Sequence, residues 1–151
     1  MKFYSMKMNS IGKLLLGAAH FAGLLSLACA QDVDPTAMLG GGTQVVQMVD
    51  QGKVGEIWDG ATSAAKKRVS RSEFVRQVTE SRASLAIPQQ RTWTAVHRQT
   101  VVNEDADLAG QYVSVEYETR FSSAASRAVR EMVSFHLERD GTWRFSGYVL
   151  R

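Results

Sequence analysis

From residue 111 onward the chain alternates apolar and polar side chains with a period of two. Val113, Val115, Tyr117, Thr119 and Phe121 share one phase of residues 111–121. Val129, Glu131, Val133, Phe135 and Leu137 share one phase of 127–137, and Trp143, Phe145, Gly147 and Val149 one phase of 142–151. This period predicts three strands, each with one covered face. Residues 92–102 predict a further strand whose two faces are both mixed. The short loops after residue 121 make the last three strands an antiparallel meander.

Neighbouring strands must turn their apolar faces the same way, and this sets the register. In the last hairpin a two-residue Asp140-Gly141 loop would put Trp143 and Phe145 opposite in face to Val133 and Phe135. A three-residue loop, Arg139-Asp140-Gly141, pairs Glu138 with Thr142 and brings all four to one face. Gly141 then supplies the left-handed residue that such loops need. The same reasoning sets Glu118 opposite Arg130 on the outer face and Tyr117 opposite Glu131 on the inner one.

Residues 34–86 carry a helical period instead. Asp34 before Pro35 is a helix start. Three glycines, 40–42, each cost about 1 kcal/mol in a helix, so the helix is expected to begin properly only after Thr43. Val45, Val46 and Val49 form its stripe and Gly52 ends it. A second helix is expected over 54–68, striped by Val54, Ile57, Trp58, Ala61 and Ala65. Its last turn holds Lys66, Lys67 and Arg68, expected to be a solvated end facing the negative pole of the helix rather than a phosphate site. A third begins at the Ser70–Glu73 capping box, carries Phe74, Val75, Val78 and Leu85, and stops before Pro88. Helices followed by a sheet with one apolar face predict an α+β domain, the N-terminal helices covering one face of an antiparallel sheet of about four strands.

The first 30 residues read as an export signal. Lys2, Lys7 and Lys13 precede an apolar run over 14–28, interrupted by His20. That run is short of the roughly 20 residues of a membrane span and ends in small residues. Cleavage after Ala28-Cys29-Ala30 would start the mature chain at Gln31 and discard Cys29. The alternative is lipidation of Cys29, although Ser26 and Leu27 fit a lipobox poorly. The expected location is therefore periplasmic or secreted, with membrane anchoring only if Cys29 is lipidated.

Removing this leader changes the charge. The precursor has 18 Lys+Arg against 15 Asp+Glu. Three of the lysines lie in the leader and none of the acids do, so residues 31–151 carry no formal net charge. Nucleic acid is then not an expected partner, since that would require a basic stripe. No cysteine remains to form a disulfide, and the remaining 121 residues suit one domain with one core.

Glu131 is the informative candidate. It is in phase with Val129, Val133 and Phe135, so an acid is expected on the covered face. A buried carboxylate needs a partner or stays neutral. One reading is a structural pair with Arg91, Arg98, Tyr117 or a helix-one amide. The other makes Glu131 a general base at a cavity floor, with Tyr117 or His97 assisting. His97 would line a pocket with Trp93 or stand exposed on its strand. His136 is expected on the outer face beside Arg144, solvated. No metal motif of recognised spacing, no calcium loop in 103–110, no Gly-x-Ser-x-Gly elbow and no phosphate-cradling glycine loop occur. No cofactor is expected. By the register above, Tyr112, Met132, Tyr148 and Leu150 fall on the outer face. They form either a partner or homodimer surface or scattered exposed apolars.

The combination of Asp50-Gln51-Gly52 leading to Trp58, Arg91, Gly110-x-Tyr112, Glu131, Asp140-Gly141-x-Trp143 and Gly147-Tyr148 resembles a family of small exported bacterial proteins, the domain of unknown function numbered four-zero-one-nine. The resemblance spans nearly all of 37–151. Val54 and Phe74 depart from it, standing where an aromatic and a Trp are frequent. It implies an α+β fold similar to the nuclear-transport-factor-two or cystatin-like folds, and no activity. The expected function is a non-enzymatic module that binds an envelope protein or a small molecule. The alternative is a small enzyme using Glu131.

Overall fold

The computed structural model describes residues 33–123 and 127–151. The leader, Cys29 and the expected boundary at Gln31 lie outside the described residues. Four helices precede four strands: α1 (Pro35–Asp50), α2 (Val54–Asp59), α3 (Ser63–Arg68), α4 (Arg71–Arg82), β1 (Pro88–Val101), β2 (Gly110–Phe121), β3 (Val129–Leu137) and β4 (Trp143–Leu150). The strands form one antiparallel sheet in chain order. The architecture is α+β, with a core of valines from α1 and the sheet, joined by Ile57, Val78, Phe135 and Phe145.

The register follows the alternation of apolar residues. Tyr117 stands opposite Glu131 and Glu118 opposite Arg130. The last turn is the three-residue loop: Glu138 N–H donates to Thr142 O and Gly141 N–H to Glu138 O, both at 2.9 Å. Gly141 has φ of 78°, which a glycine adopts without a Cβ penalty.

The alternation then fails within β4. Phe145 pairs with Phe135, but Gly147 pairs with Ser134, so Ser146 is one residue too many. An added residue reverses the phase of everything beyond it. Tyr148 and Leu150 therefore stand opposite Val133 and Glu131 on the helix-covered face, and Val149 turns outward. The expected outer-face set of Tyr112, Met132, Tyr148 and Leu150 is thus divided between two faces. A second irregularity falls between Trp93 and Ala95. It leaves Trp93 opposite Tyr117 on one face and His97 opposite Ser114 on the other, so the two line no common pocket.

The helices depart from expectation at two places. α1 starts at Pro35, capped by Asp34, whose Oδ1 accepts from Thr36 N–H at 2.9 Å. It runs straight through Gly40–Gly42. A Cβ on Gly42 would lie 2.6 Å from the Tyr117 hydroxyl oxygen and 3.1 Å from Val115 Cβ, and one on Gly41 3.3 Å from Phe135. These glycines let the helix backbone rest on the sheet, and that packing outweighs their low helix propensity.

The expected helix over 54–68 is two helices. Gly60 ends α2, and Ala61-Thr62 then runs beside β4, with Thr62 N–H donating to Phe145 O at 2.9 Å. The Thr62 hydroxyl caps α3 by accepting from Ala65 N–H. Burying an edge contact on β4 competes with helical continuity here and wins. Ser70 caps α4 as its capping-box sequence requires, and β1 begins at Pro88 rather than residue 92.

Two glycines in one helix give opposite expected outcomes. Gly40 is exposed with nothing within 4 Å of an added Cβ, so Gly40→Ala should stabilise by up to about 1 kcal/mol. Gly42→Ala should instead destabilise by about 1–3 kcal/mol through overpacking against Tyr117 and Val115. Urea titration of both variants measures the difference.

Candidate functional site

β3 runs between β2 and β4, so an inward side chain at its first turn has no route to water. Glu131 is 0 % exposed. An ion in such a place costs several kcal/mol unless its oxygens are met by donors. Each oxygen is met twice. Oε1 accepts from the Thr119 hydroxyl at 2.5 Å and from Arg91 Nε at 2.9 Å. Oε2 accepts from the Tyr148 hydroxyl at 2.6 Å and from Arg82 Nη1 at 3.3 Å.

Both arginines continue to a second carboxylate. Arg91 Nη1 and Nη2 donate to the two oxygens of Asp50 at 2.7 and 3.1 Å, and Arg82 Nη2 donates to Asp50 Oδ1. Glu131, Arg82, Asp50 and Arg91 thus close a ring of two carboxylates and two guanidiniums. The side chains of Arg82, Arg91 and Asp50 are 12, 15 and 19 % exposed. Asp50 is the last residue of α1 and Arg82 the last of α4. Arg91, Thr119 and Tyr148 come from β1, β2 and β4. The guanidinium of Arg82 also lies over the Phe121 ring, 4.5 Å from its centroid.

The protonation states follow from these contacts. Burial works against the charge on Arg91, but the Asp50 hydrogen bond and the Glu131 charge outweigh it and hold its pKa above the ordinary value. Burial, reinforced by the negative charge of Glu131, pushes the Tyr148 phenol well above the ordinary tyrosine range, so it remains a neutral donor. Burial also raises Tyr117, against the opposing hydrogen bond from Thr43. The arrangement clamps five secondary-structure elements onto β3. A carboxylate with two donors on each oxygen has no lone pair directed at a substrate.

The three residues considered for catalysis do not converge. Tyr117 is the cross-strand neighbour of Glu131, but its hydroxyl points to α1, 3.3 Å from Thr43 Oγ1 and 3.4 Å from Leu39 O. His97 is exposed on the other face, its Nε2 3.6 Å from a Glu116 oxygen. Of the partners considered for Glu131, Arg91 is present, while Arg98 donates to Gln111. That Arg82, Asp50, Thr119 and Tyr148 join this cluster escapes the sequence reading, although Asp50 and Tyr148 stand among the residues of the family resemblance. Tyr148 is hidden by the added residue in β4. Arg82 looks like an ordinary cationic helix end.

Tyr112 and Met132 remain on the outer face, where α3 stands beside the sheet. With Thr62, Ala65, Arg68 and Ser134 they line a groove of about 400 Å³. Tyr112 stacks on His136 with 4.4 Å between ring centroids and donates its hydroxyl to Leu108 O at 2.9 Å. His136 is accordingly buried, not solvated, with Nε2 3.2 Å from Ala109 O. The Ser114 and Ser134 hydroxyls meet at 2.8 Å. The basic run is not merely solvated either: Lys67 pairs with Asp107 and Arg68 with Asp105, tying α3 to the β1–β2 loop. Among the described residues no group of three or more His, Cys, Asp or Glu is placed to hold a metal. Among them, too, no helix is long and apolar enough to cross a membrane.

Breaking the ring should be costly. Glu131→Gln leaves two guanidiniums with one carboxylate, Asp50, in place of two, and should destabilise by about 3–5 kcal/mol. Tyr148→Phe removes one neutral donor and should cost about 1–3 kcal/mol. Urea denaturation distinguishes the two magnitudes.

A pH dependence follows from the phenols. Tyr112, Tyr117 and Tyr148 all have raised pKa values in the fold. Unfolded tyrosine ionises near pH 10, so above that pH the native state binds more protons and stability falls as pH rises. Phenolate absorbance and loss of circular dichroism should appear together in an alkaline titration. Tyr148→Phe should make that loss of stability with pH shallower.

A family model described as "Protein of unknown function (DUF4019)" matches residues 41–148. The four residues of the ring, and the donors Thr119 and Tyr148, all lie within the match. No curated protein matches the chain.

Proposed function

The chain belongs to the DUF4019 family, and we propose that its domain is a non-enzymatic binding or interaction module of the bacterial envelope. One observation carries this reading. Glu131, the carboxylate buried in the core, has every oxygen occupied by donors from its own chain and no exposure to solvent. The general-base alternative would require it to release a donor and open to water, which breaks the contacts that tie the helices to the sheet. The core around it is filled by Phe135, Phe145, Tyr117 and valines.

The partner, an envelope protein or a small molecule, is taken on the outer face. There the groove between α3 and the sheet presents Tyr112, Met132 and the paired serines. The location rests on the leader: cleavage before Gln31 gives a periplasmic or secreted domain, and retention of a lipidated Cys29 would give an anchored one.

Two measurements test the reading. Purified protein used as bait in envelope extract should capture a specific species that Met132→Arg, shown by circular dichroism to be folded, does not. Equal capture by the variant, or none by either, would refute the groove as the binding surface. Intact mass of the protein from its producing cell should correspond to a chain starting at Gln31. A diacylated Cys29 would show the anchored form instead.

A further inference from the structure

Charge is distributed unevenly over the arginines. Most arginines of the described residues meet a carboxylate, and Arg98 meets the Gln111 amide. The exceptions are Arg120, Arg127, Arg130 and Arg151, which have no ion pair among the described residues and are all exposed. They are not scattered. Arg130 stands opposite Glu118 across β2 and β3, and Arg120 follows Glu118 by two residues on the same face. Arg130 and Arg151 exchange two backbone hydrogen bonds of 2.9 Å, so the two cations sit directly across from one another. Arg127, Arg130 and Arg151, with Glu118 and Ala128, line a cup of about 400 Å³.

Like charges directly opposite in a sheet destabilise it. Nothing in the fold requires this pair, and Glu118, the one acidic side chain lining the cup, does not balance four guanidiniums. A guanidinium fork matches the oxygens of a phosphate two at a time, and several around one cup favour a doubly charged oxyanion over a single carboxylate. Glu118 adds an acceptor suited to a hydroxyl on the molecule that bears the phosphate.

We propose that Arg127, Arg130 and Arg151 form a binding site for a phosphate monoester carried on a hydroxyl-bearing molecule, with Arg120 and Glu118 at its rim. The ester is either free in solution or displayed as a lipid headgroup. The site shares no lining residue with the groove that holds Tyr112 and Met132, so the two stand or fall separately.

The test uses sn-glycerol 3-phosphate in calorimetry and phosphatidylcholine vesicles, with and without phosphatidic acid, in sedimentation. Binding to at least one probe is expected, weakening several-fold as salt rises from about 0.02 to about 0.2 M and the Debye length shrinks. Binding of the soluble ester identifies a free ligand; binding of the acidic vesicles alone identifies a headgroup. R127Q/R130Q/R151Q should weaken binding by about tenfold or more. R127Q/R130Q/R151Q should keep the circular dichroism spectrum and urea midpoint of the unsubstituted protein, which shows that loss of binding is not loss of fold. Failure of both probes to bind, or equal binding by the triple variant, would overturn the proposal.

Discussion

The structure depends on seating one carboxylate where water cannot reach it. Glu131 sits on an interior strand with no exposure, and only a dense set of donors makes that tolerable. The donors come from both neighbouring strands, from β1 beyond them and from the end of α4, and Asp50 at the end of α1 joins through the arginines. The arrangement is neutral as a whole, two negative charges against two positive. It fixes where α1 and α4 terminate relative to the sheet, something apolar packing leaves loose because a valine stripe tolerates small slides that a bidentate arginine contact does not.

The apolar layer supplies the complementary part. α1 lies close to β2 and β3 because Gly41 and Gly42 present no side chain to Phe135, Tyr117 and Val115. Close approach brings Val45, Val46 and Val49 into the core and delivers Asp50 to the arginines. Low helix propensity at two successive positions, Gly41 and Gly42, is thus the local cost of a favourable interlayer distance.

Much of this was legible in the chain, and the boundary of legibility has physical causes. The period of two located β2, β3 and the start of β4, and face agreement selected the turn at Arg139-Asp140-Gly141, which the hydrogen bonds of Glu138 confirm. The acid in phase with valines signalled a buried charge, and Arg91 was among its expected partners. The alternation puts Tyr148 on the wrong face because Ser146 adds a residue that leaves no compositional mark. The continuity of α1 through its glycines, and the break between α2 and α3, run against the local sequence for a common reason. In both places tertiary contact, with Tyr117 in one and with Phe145 in the other, overrides a local preference. Arg82 carries no sequence signal because a cation ending a helix normally faces water.

The origin of Tyr148 in the final strand bears on the order of assembly. During synthesis the two helices that supply Asp50 and Arg82 leave the ribosome long before β4. Until that strand arrives, Glu131 lacks its phenolic donor and β3 has an open edge beside a nascent charged core. Asp50 and Arg82 therefore wait for Glu131 through much of elongation, and the last hairpin acts as the latch.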